Sequence, residues 1–265
     1  MWTDESPMLS PQNGKTRHIT LIDPDKQAPE VAANRALVAV ECGTSAIFVG
    51  GSTNTGDELV HATCQAIQEA LELRIFAASQ HPDANEEMWN VPVILFPGGA
   101  HAMSSSADGI LFMMLMNSRS RQFLIEEQLI GAPLIDQFGI KSIPTGYIVC
   151  APGGKVGEVG DADLIQSDDM NAISAYCKTA EMYGFSTIYL EAGSGASQPV
   201  HAELIRTAKS SSKCTLIIGG GIRTTEQLLS AANAGADYIV TGTITEEHDS
   251  LESLREQLHS LISVL

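Results

Sequence analysis

Short, continuous apolar runs punctuate the chain, rather than runs that alternate with polar residues. Eight stand out, at 18–22, 44–49, 92–96, 109–115, 145–150, 185–190, 214–218 and 237–240, bounded by Gly, Pro or other turn-forming residues. Continuous runs fit strands buried on both faces, as in parallel sheets. Helical patterns separate most of them. Leu251, Leu254, Leu258, Leu261 and Leu265 recur at spacings of 3 and 4, which makes one apolar stripe on a terminal helix. Leu59, Thr63, Ile67 and Ala70 mark another helical face. Thr224-Thr-Glu-Gln227 has capping-box spacing and predicts a helix start directly after Gly219 to Arg223. Eight strand–helix units in 265 residues argue for an α/β fold, a (β/α)8 TIM barrel. The competing architecture is a doubly wound open sheet. That fold usually carries G-x-G-x-x-G after its first strand, where this chain has Asp23-Pro-Asp-Lys26.

One unit breaks the rhythm. The dozen residues from Pro97 to Asp108 read Pro-Gly-Gly-Ala-His-Ala-Met-Ser-Ser-Ser-Ala-Asp. A parallel crossover needs about that many residues for its whole connection, helix included. The third outer helix is therefore expected to be missing or reduced. A barrel lacking one outer helix has a gap in its wall, and such a gap admits a long apolar ligand. The competing reading is a short helix of no functional meaning.

Composition narrows the class. Apolar residues are 44% of the chain and charged residues 18%, a balance that can bury a core. The formal net charge is −17, which disfavours nucleic acid and anionic membrane surfaces as partners. The five cysteines are odd in number and form no C-x-x-C pair, so they read as reduced thiols of a cytoplasmic protein. No stretch approaches the ~20 apolar residues of a membrane span. Residues 1–17 are polar, contain Pro7, Pro11 and Gly14, and are expected to form a flexible tail. Residues 18–265 then make one catalytic barrel domain.

Candidate chemistry gathers at the strand ends, where barrels of this kind place their active sites. Gly193-Ser194-Gly195 follows the sixth strand, Gly219-Gly220-Gly221 the seventh and Thr241-Gly242-Thr243 the eighth. Glycines let backbone N–H groups approach a ligand, and successive N–H groups make an anion nest. Tight turns alone would also use glycine, but three such turns on adjacent strands favour a phosphate site. Asp23 and Lys26 close the first strand, and Gly50-Gly51-Ser52-Thr53 closes the second. A carboxylate beside a hydroxyl suits Mg²⁺, although Asp23 equally reads as a helix cap. Glu191 ends the sixth strand beside the glycines, placed as a general base or as an acceptor for a loop N–H. Asn117-Ser118-Arg119-Ser120-Arg121 follows the fourth strand and offers guanidinium forks, for phosphate oxygens or for solvent.

These segments together resemble the geranylgeranylglyceryl phosphate synthase family, archaeal-type enzymes that join a prenyl diphosphate to sn-glycerol 1-phosphate. The matching pieces are His18-Ile-Thr-Leu-Ile-Asp-Pro-Asp-Lys26, Val49-Gly-Gly-Ser52, Val93-Ile-Leu-Phe-Pro-Gly98, Leu115-Met-Asn-Ser-Arg119 and Ile143-Pro-Thr-Gly-Tyr147. Tyr189-Leu-Glu-Ala-Gly-Ser-Gly195 and Gly219-Gly-Gly-Ile-Arg223 complete the set, in order along the chain. The resemblance implies a modified barrel without a regular third outer helix, and Mg²⁺ held at Asp23 and Ser52. It implies a glycerol phosphate site at Tyr189, Leu190, Glu191, Ala192, Gly193, Ser194, Gly195, Gly219, Gly220, Thr241 and Gly242.

The expected activity is ether formation between a long-chain prenyl diphosphate, geranylgeranyl by preference, and the 3-hydroxyl of sn-glycerol 1-phosphate, the first ether-bond step of archaeal-type phospholipid biosynthesis. Glu191, Tyr189 and Lys26 are expected at the reacting centre, with Lys26, Asn117 and Arg119 toward the diphosphate. A homo-oligomer, dimer or hexamer, and transient contact with membrane lipid are also expected. The chain departs from the family at Gly99, at Ser120-Arg121 and at Thr243, and the first two of these bear on the prenyl diphosphate end. Two other readings stand beside this one. A phosphate-binding barrel isomerase would turn over without Mg²⁺ or a lipid donor. A non-catalytic phosphate-binding barrel would bind and not turn over. Each needs only one of the two motif groups, Asp23 to Lys26 and Tyr189 to Gly195, that the chain carries together.

Overall fold

The computed structural model describes residues 7–11, 14–50, 55–248 and 250–265. Its eight strands are β1 (Arg17–Ile22), β2 (Ile47–Gly50), β3 (Val93–Phe96), β4 (Gly109–Leu115), β5 (Lys141–Val149), β6 (Thr187–Glu191), β7 (Thr215–Gly219) and β8 (Tyr238–Thr241). They form one closed barrel in sequence order, with β1 pairing β8 and every neighbouring pair parallel. Closure excludes the open doubly wound sheet. All eight apolar runs became strands, and the ends shifted by a few residues. The second shortened most: Thr44 N donates to Ala39 O near the end of the preceding helix at 3.0 Å instead of joining the ladder.

Outer helices complete most units. They are α1 (Pro29–Glu41), α2 (Asp57–Ser79), α3 (Glu127–Phe138), the short α4 (Gly154–Val159), α5 (Met170–Met182), α6 (Ala202–Ser211), α7 (Thr225–Asn233), the short α8 (Thr243–Glu246) and α9 (Leu251–Ile262). The expected capping box opens α7: the Thr224 hydroxyl accepts from Gln227 N, and the Gln227 carboxamide accepts from Thr224 N. Leu254, Leu258 and Leu261 of α9 are buried, as its stripe predicts, whereas Leu251 at the first turn is exposed. None of the described helices is long and apolar enough to cross a membrane.

Two apolar layers hold the barrel. Alternation along each strand sends one set of side chains inward and the next outward. Ile19, Phe48, Ile94, Leu111, Tyr147, Tyr189 and Ile217 fill the interior, while Ile148, Leu190 and Ile218 pack under the helices. Fully burying a side chain of this size contributes roughly 1.5–3 kcal/mol.

Between β3 and β4 there is no helix, as the twelve-residue connection predicts. Residues 97–108 run as turns strapped to the flanking helices. Ala100 N donates to Glu127 Oε2 of α3 at 2.8 Å, and Met103 N donates to Asp57 Oδ1 of α2 at 3.1 Å. Asp108 Oδ2 accepts from Val93 N at 2.8 Å and from Gln68 Nε2 at 2.9 Å.

The expected loose tail needs correction in part. Of residues 1–17, the described Met8 and Leu9 are buried inside the lower end of the barrel, with Met8 against Gly109. Thr16 also donates to Ala236 O at 2.7 Å. Two apolar residues in a polar stretch found the open end of the barrel and closed it.

Candidate active site

The opposite end of the barrel opens into a cavity of about 410 Å³. It has two parts. One lies over the ends of β6, β7, β8 and β1, among Glu191, Ser194, Gly195, Gly220, Gly242 and Lys26. The other runs out through the place of the missing third helix. Gly98, Gly99, Ala100 and Met103 wall it on one side, Phe123, Gly131 and Ile135 on the other, and Ile110 and Phe112 form its base. Ile110 belongs to the outward layer of β4 and Leu111 to the inward one, and both line the cavity, so it passes from inside the barrel to outside.

Glu191 stands where the parts meet. It is paired in register with Val149 and Gly219 and is almost fully buried. Gly193 N donates to its Oε1 at 2.6 Å, and the phenols of Tyr147 and Tyr189 hydrogen-bond it as well. Burial pushes its carboxyl from 4.5 up to about 7, against those three hydrogen bonds, which favour the charged form. Burial, with Glu191 nearby, holds both phenols well above the usual tyrosine value, so they remain donors. Phe96 packs on the pair, its ring centroid 5.3 Å from Tyr189 and 6.0 Å from Tyr147. Together these rings form an aromatic base beneath the carboxyl.

Glycine is required around this carboxyl. Gly220 has φ +83°, and a Cβ there would lie 2.2 Å from Glu191 Oε1 and 2.7 Å from Gly193 N. A Cβ at Gly219 would lie 2.0 Å from the Tyr189 hydroxyl. The glycine-rich turns therefore serve close approach to the acid and the phenol, and they leave the β6–β8 rim open to a ligand.

The expected site residues separate into groups. Tyr189, Glu191, Ser194, Gly195, Gly220, Thr241, Gly242, Lys26 and Asp23 all line the cavity. Gly193 and Gly219 support it through the contacts just described. Leu190 and Ala192 face the outer layer, so only their backbone is available on this side. Asn117 and Arg119 lie off the cavity, which corrects their expected place at the diphosphate. Asn117 Nδ2 donates to Val149 O and Asp163 O, both at 2.8 Å, and its Oδ1 accepts from Val149 N at 3.0 Å, so the buried amide pins β4 to β5. Arg119 turns outward to Asp161 at 3.2 Å and is largely exposed. Ser52 lies outside the described residues.

Asp23 does cap a turn, accepting from Asp25 N at 3.1 Å, and it also faces the cavity beside Lys26 and Glu246. Glu246 has a raised carboxyl, chiefly through burial and then through Asp23. No cluster of three or more His, Cys, Asp or Glu exists among the described residues. Asp23 offers a single carboxylate with Lys26 beside it, so a cation held there would complete its shell with waters and phosphate oxygens, a chemistry that suits Mg²⁺.

Among the cavity residues not expected at the site are Tyr147, Lys155, Arg223 and Glu246. Tyr147 had a legible signal, since it shares inward parity with Val149 on a predicted strand. Arg223 closes the glycine-rich piece after the seventh strand, a signal the sequence already carried, whereas Lys155 and Glu246 had none in their local sequence. Thr241 reaches the site through a buried network: His18 Nε2 meets Thr241 Oγ1 at 2.8 Å, and His18 Nδ1 meets Thr44 Oγ1 at 2.6 Å. Burial lowers the His18 ring to about 3, so it is neutral here.

Comparison with known proteins bears on this geometry. The PcrB family model matches residues 12–260. A curated geranylgeranylglyceryl phosphate synthase of Thermococcus kodakarensis is 42% identical over 92% of this chain and 90% of its own length. The crystal structure of (S)-3-O-geranylgeranylglyceryl phosphate synthase from Thermoplasma acidophilum, in complex with substrate sn-glycerol-1-phosphate, superposes with a TM-score of 0.82 at 36% identity, covering 94% of this chain and 92% of that one. Wild-type GGGPS from Thermoplasma volcanium gives 0.83 at 38% identity with the same coverage.

Proposed function

The chain belongs to the PcrB family, and from that premise we propose that it is a prenyltransferase which joins a long-chain prenyl diphosphate to sn-glycerol 1-phosphate. The observation that carries the reading is Glu191. A buried carboxyl poised near 7 stands at the junction of a glycine-lined polar rim and an apolar groove. A phosphate-binding isomerase has no use for the groove, and a purely binding barrel has no use for the poised acid.

The reaction follows from the placement. The glycine turns after β6, β7 and β8 hold the phosphate of the acceptor and present its 3-hydroxyl to Glu191. That oxygen forms a bond to C1 of the prenyl chain as the C1–O bond to diphosphate breaks. Glu191 takes the hydroxyl proton. Tyr147 and Tyr189 keep the carboxyl oriented, and their rings with Phe96 wall the cavity beside it. Lys26 offsets charge on the departing diphosphate. The groove between residues 97–103 and α3 takes the isoprenoid tail and excludes water from the reacting carbon.

Mg²⁺ is proposed at Asp23, with Ser52 as the second expected donor. When bound it would supply charge neutralisation to the diphosphate. Exposed Leu129, Ile130, Met182 and Tyr183 support a homo-oligomer, and the five free thiols support a reducing, cytoplasmic setting. The direct test is incubation with sn-glycerol 1-phosphate, labelled geranylgeranyl diphosphate and Mg²⁺. Ether-linked geranylgeranylglyceryl phosphate is the expected product, and its absence would overturn the reading.

A further inference from the structure

The sequence counts 15 Lys and Arg against 32 Asp and Glu, so cations are scarce on this chain. Three of them line one cavity: Lys26, Lys155 and Arg223. Lys26 sits with Asp23 and Glu246 on the β1–β8 side. On the β5–β7 side, the charged residues are Lys155 and Arg223 at the rim and the buried Glu191 of β6.

Both hang from fixed points on either side of the glycine turn at 193–195. Arg223 N donates to Gln227 Oε1 at 2.8 Å, which ties its backbone to the cap of α7. Its Nη2 reaches within 4.0 Å of the position a Cβ would take on Gly195. Lys155 lies in the first turn of α4. The two residues before it pack on the same turn: Gly153 N donates to Ala192 O at 2.9 Å, and the Cβ position of Gly154 is 3.3 Å from Gly193 Cα. Both side chains are solvent-exposed, and neither forms an ion pair among the described residues. By contrast Arg74, Arg119, Arg121, Arg206, Lys209 and Arg255 are all paired with carboxylates.

We propose that Arg223 and Lys155 form a cationic clamp across the rim that captures and holds the phosphate end of the acceptor. The inference rests on the functional reading above and adds two side chains to it. Backbone N–H groups supply dipoles but no net charge, whereas a phosphate monoester carries between one and two negative charges near neutrality. A chain of net charge −17 repels such a ligand at long range. Two unpaired cations at the rim reverse that field locally. They then close on the phosphate oxygens, Arg223 through its fork and Lys155 as a point charge. The clamp determines selectivity for a phosphorylated acceptor and leaves the diphosphate donor to the Lys26 side.

The test is binding of sn-glycerol 1-phosphate alone, by calorimetry, to wild type, Arg223→Gln, Lys155→Gln and the double variant, at salt from about 0.02 to about 0.5 M. Each single variant is expected to weaken binding about tenfold at low salt and the double variant more, with the gap narrowing as salt screens the charges. Arg223→Lys should recover part of the loss. In steady state the acceptor KM should rise while the donor KM holds. Equal affinity in all four proteins, a salt-independent loss, or a rise in donor KM alone would each overturn the clamp. Wild type that binds the acceptor yet forms no ether would overturn the prenyl-transfer reading and leave the clamp standing, so the two failures are distinguishable.

Discussion

Replacing Glu191 by Gln should stabilise the protein while disabling it, and the stabilisation should depend on pH in a defined direction. The carboxyl titrates at about 7 in the folded protein against an ordinary 4.5. Below pH 4.5 it is protonated in both the folded and the unfolded chain and contributes no difference. Between those values the folded state holds the proton that the unfolded chain has released, so stability falls as pH rises. Above about 7 the loss is complete. At 1.36 kcal/mol per pH unit it reaches about 3 kcal/mol. Gln keeps an oxygen to accept from Gly193 N and removes the charge.

Urea denaturation of both proteins across pH 4 to 9 measures the difference. The variant should match wild type at the acid end and exceed it by about 3 kcal/mol at the alkaline end, with the midpoint of the change between 4.5 and about 7. Its turnover should drop by about 10²–10⁴ at alkaline pH, while wild-type turnover rises through about pH 7 to a plateau. A stability difference that is flat with pH, or a variant less stable than wild type at high pH, would refute the account of Glu191 as a buried, proton-holding base.

Other outcomes follow from the same geometry. Gly220→Ala should weaken binding of sn-glycerol 1-phosphate by about 10²-fold or more and lower the melting temperature, because its Cβ meets Glu191 and the backbone at a φ of +83°; calorimetry and thermal melting check this. His18→Gln should flatten the acid limb of the stability curve. The neutral ring, titrating near 3 instead of 6.5, contributes stability above 6.5 that is lost as pH falls toward 3, up to about 5 kcal/mol. Gly131→Leu, directed at Met103 across the groove, should raise the KM for geranylgeranyl diphosphate about tenfold and that for a shorter prenyl donor less. Asp23→Ala should weaken Mn²⁺ binding about tenfold or more, read by electron paramagnetic resonance without turnover.

The strands were legible because a parallel barrel buries both faces, which erases alternation and leaves continuous apolar runs. The missing helix was legible from the connection itself, since twelve residues are barely a crossover's minimum and these are rich in Gly, Pro and Ser. The α7 cap was legible because a capping box is local chemistry. Asn117 was misread for a physical reason: an amide next to arginines looks like an anion site, and only the fold shows its donors taken by Val149 and Asp163 carbonyls. Lys155 and Arg223 are 68 residues apart in sequence and meet at one turn only after the barrel closes. Met8 and Leu9 carry no period, so nothing local distinguished a plug from a tail.

That plug gives the molecule two ends with different tolerances. Chemistry occupies the rim, and the floor is sealed by residues close to the start of the chain. Trimming the same segment through Leu9 would unseat Met8 from Gly109 and uncover the side chains of Ile19, Leu111 and Tyr238. The damage would show first as self-association and lowered solubility, with the acceptor site still formed.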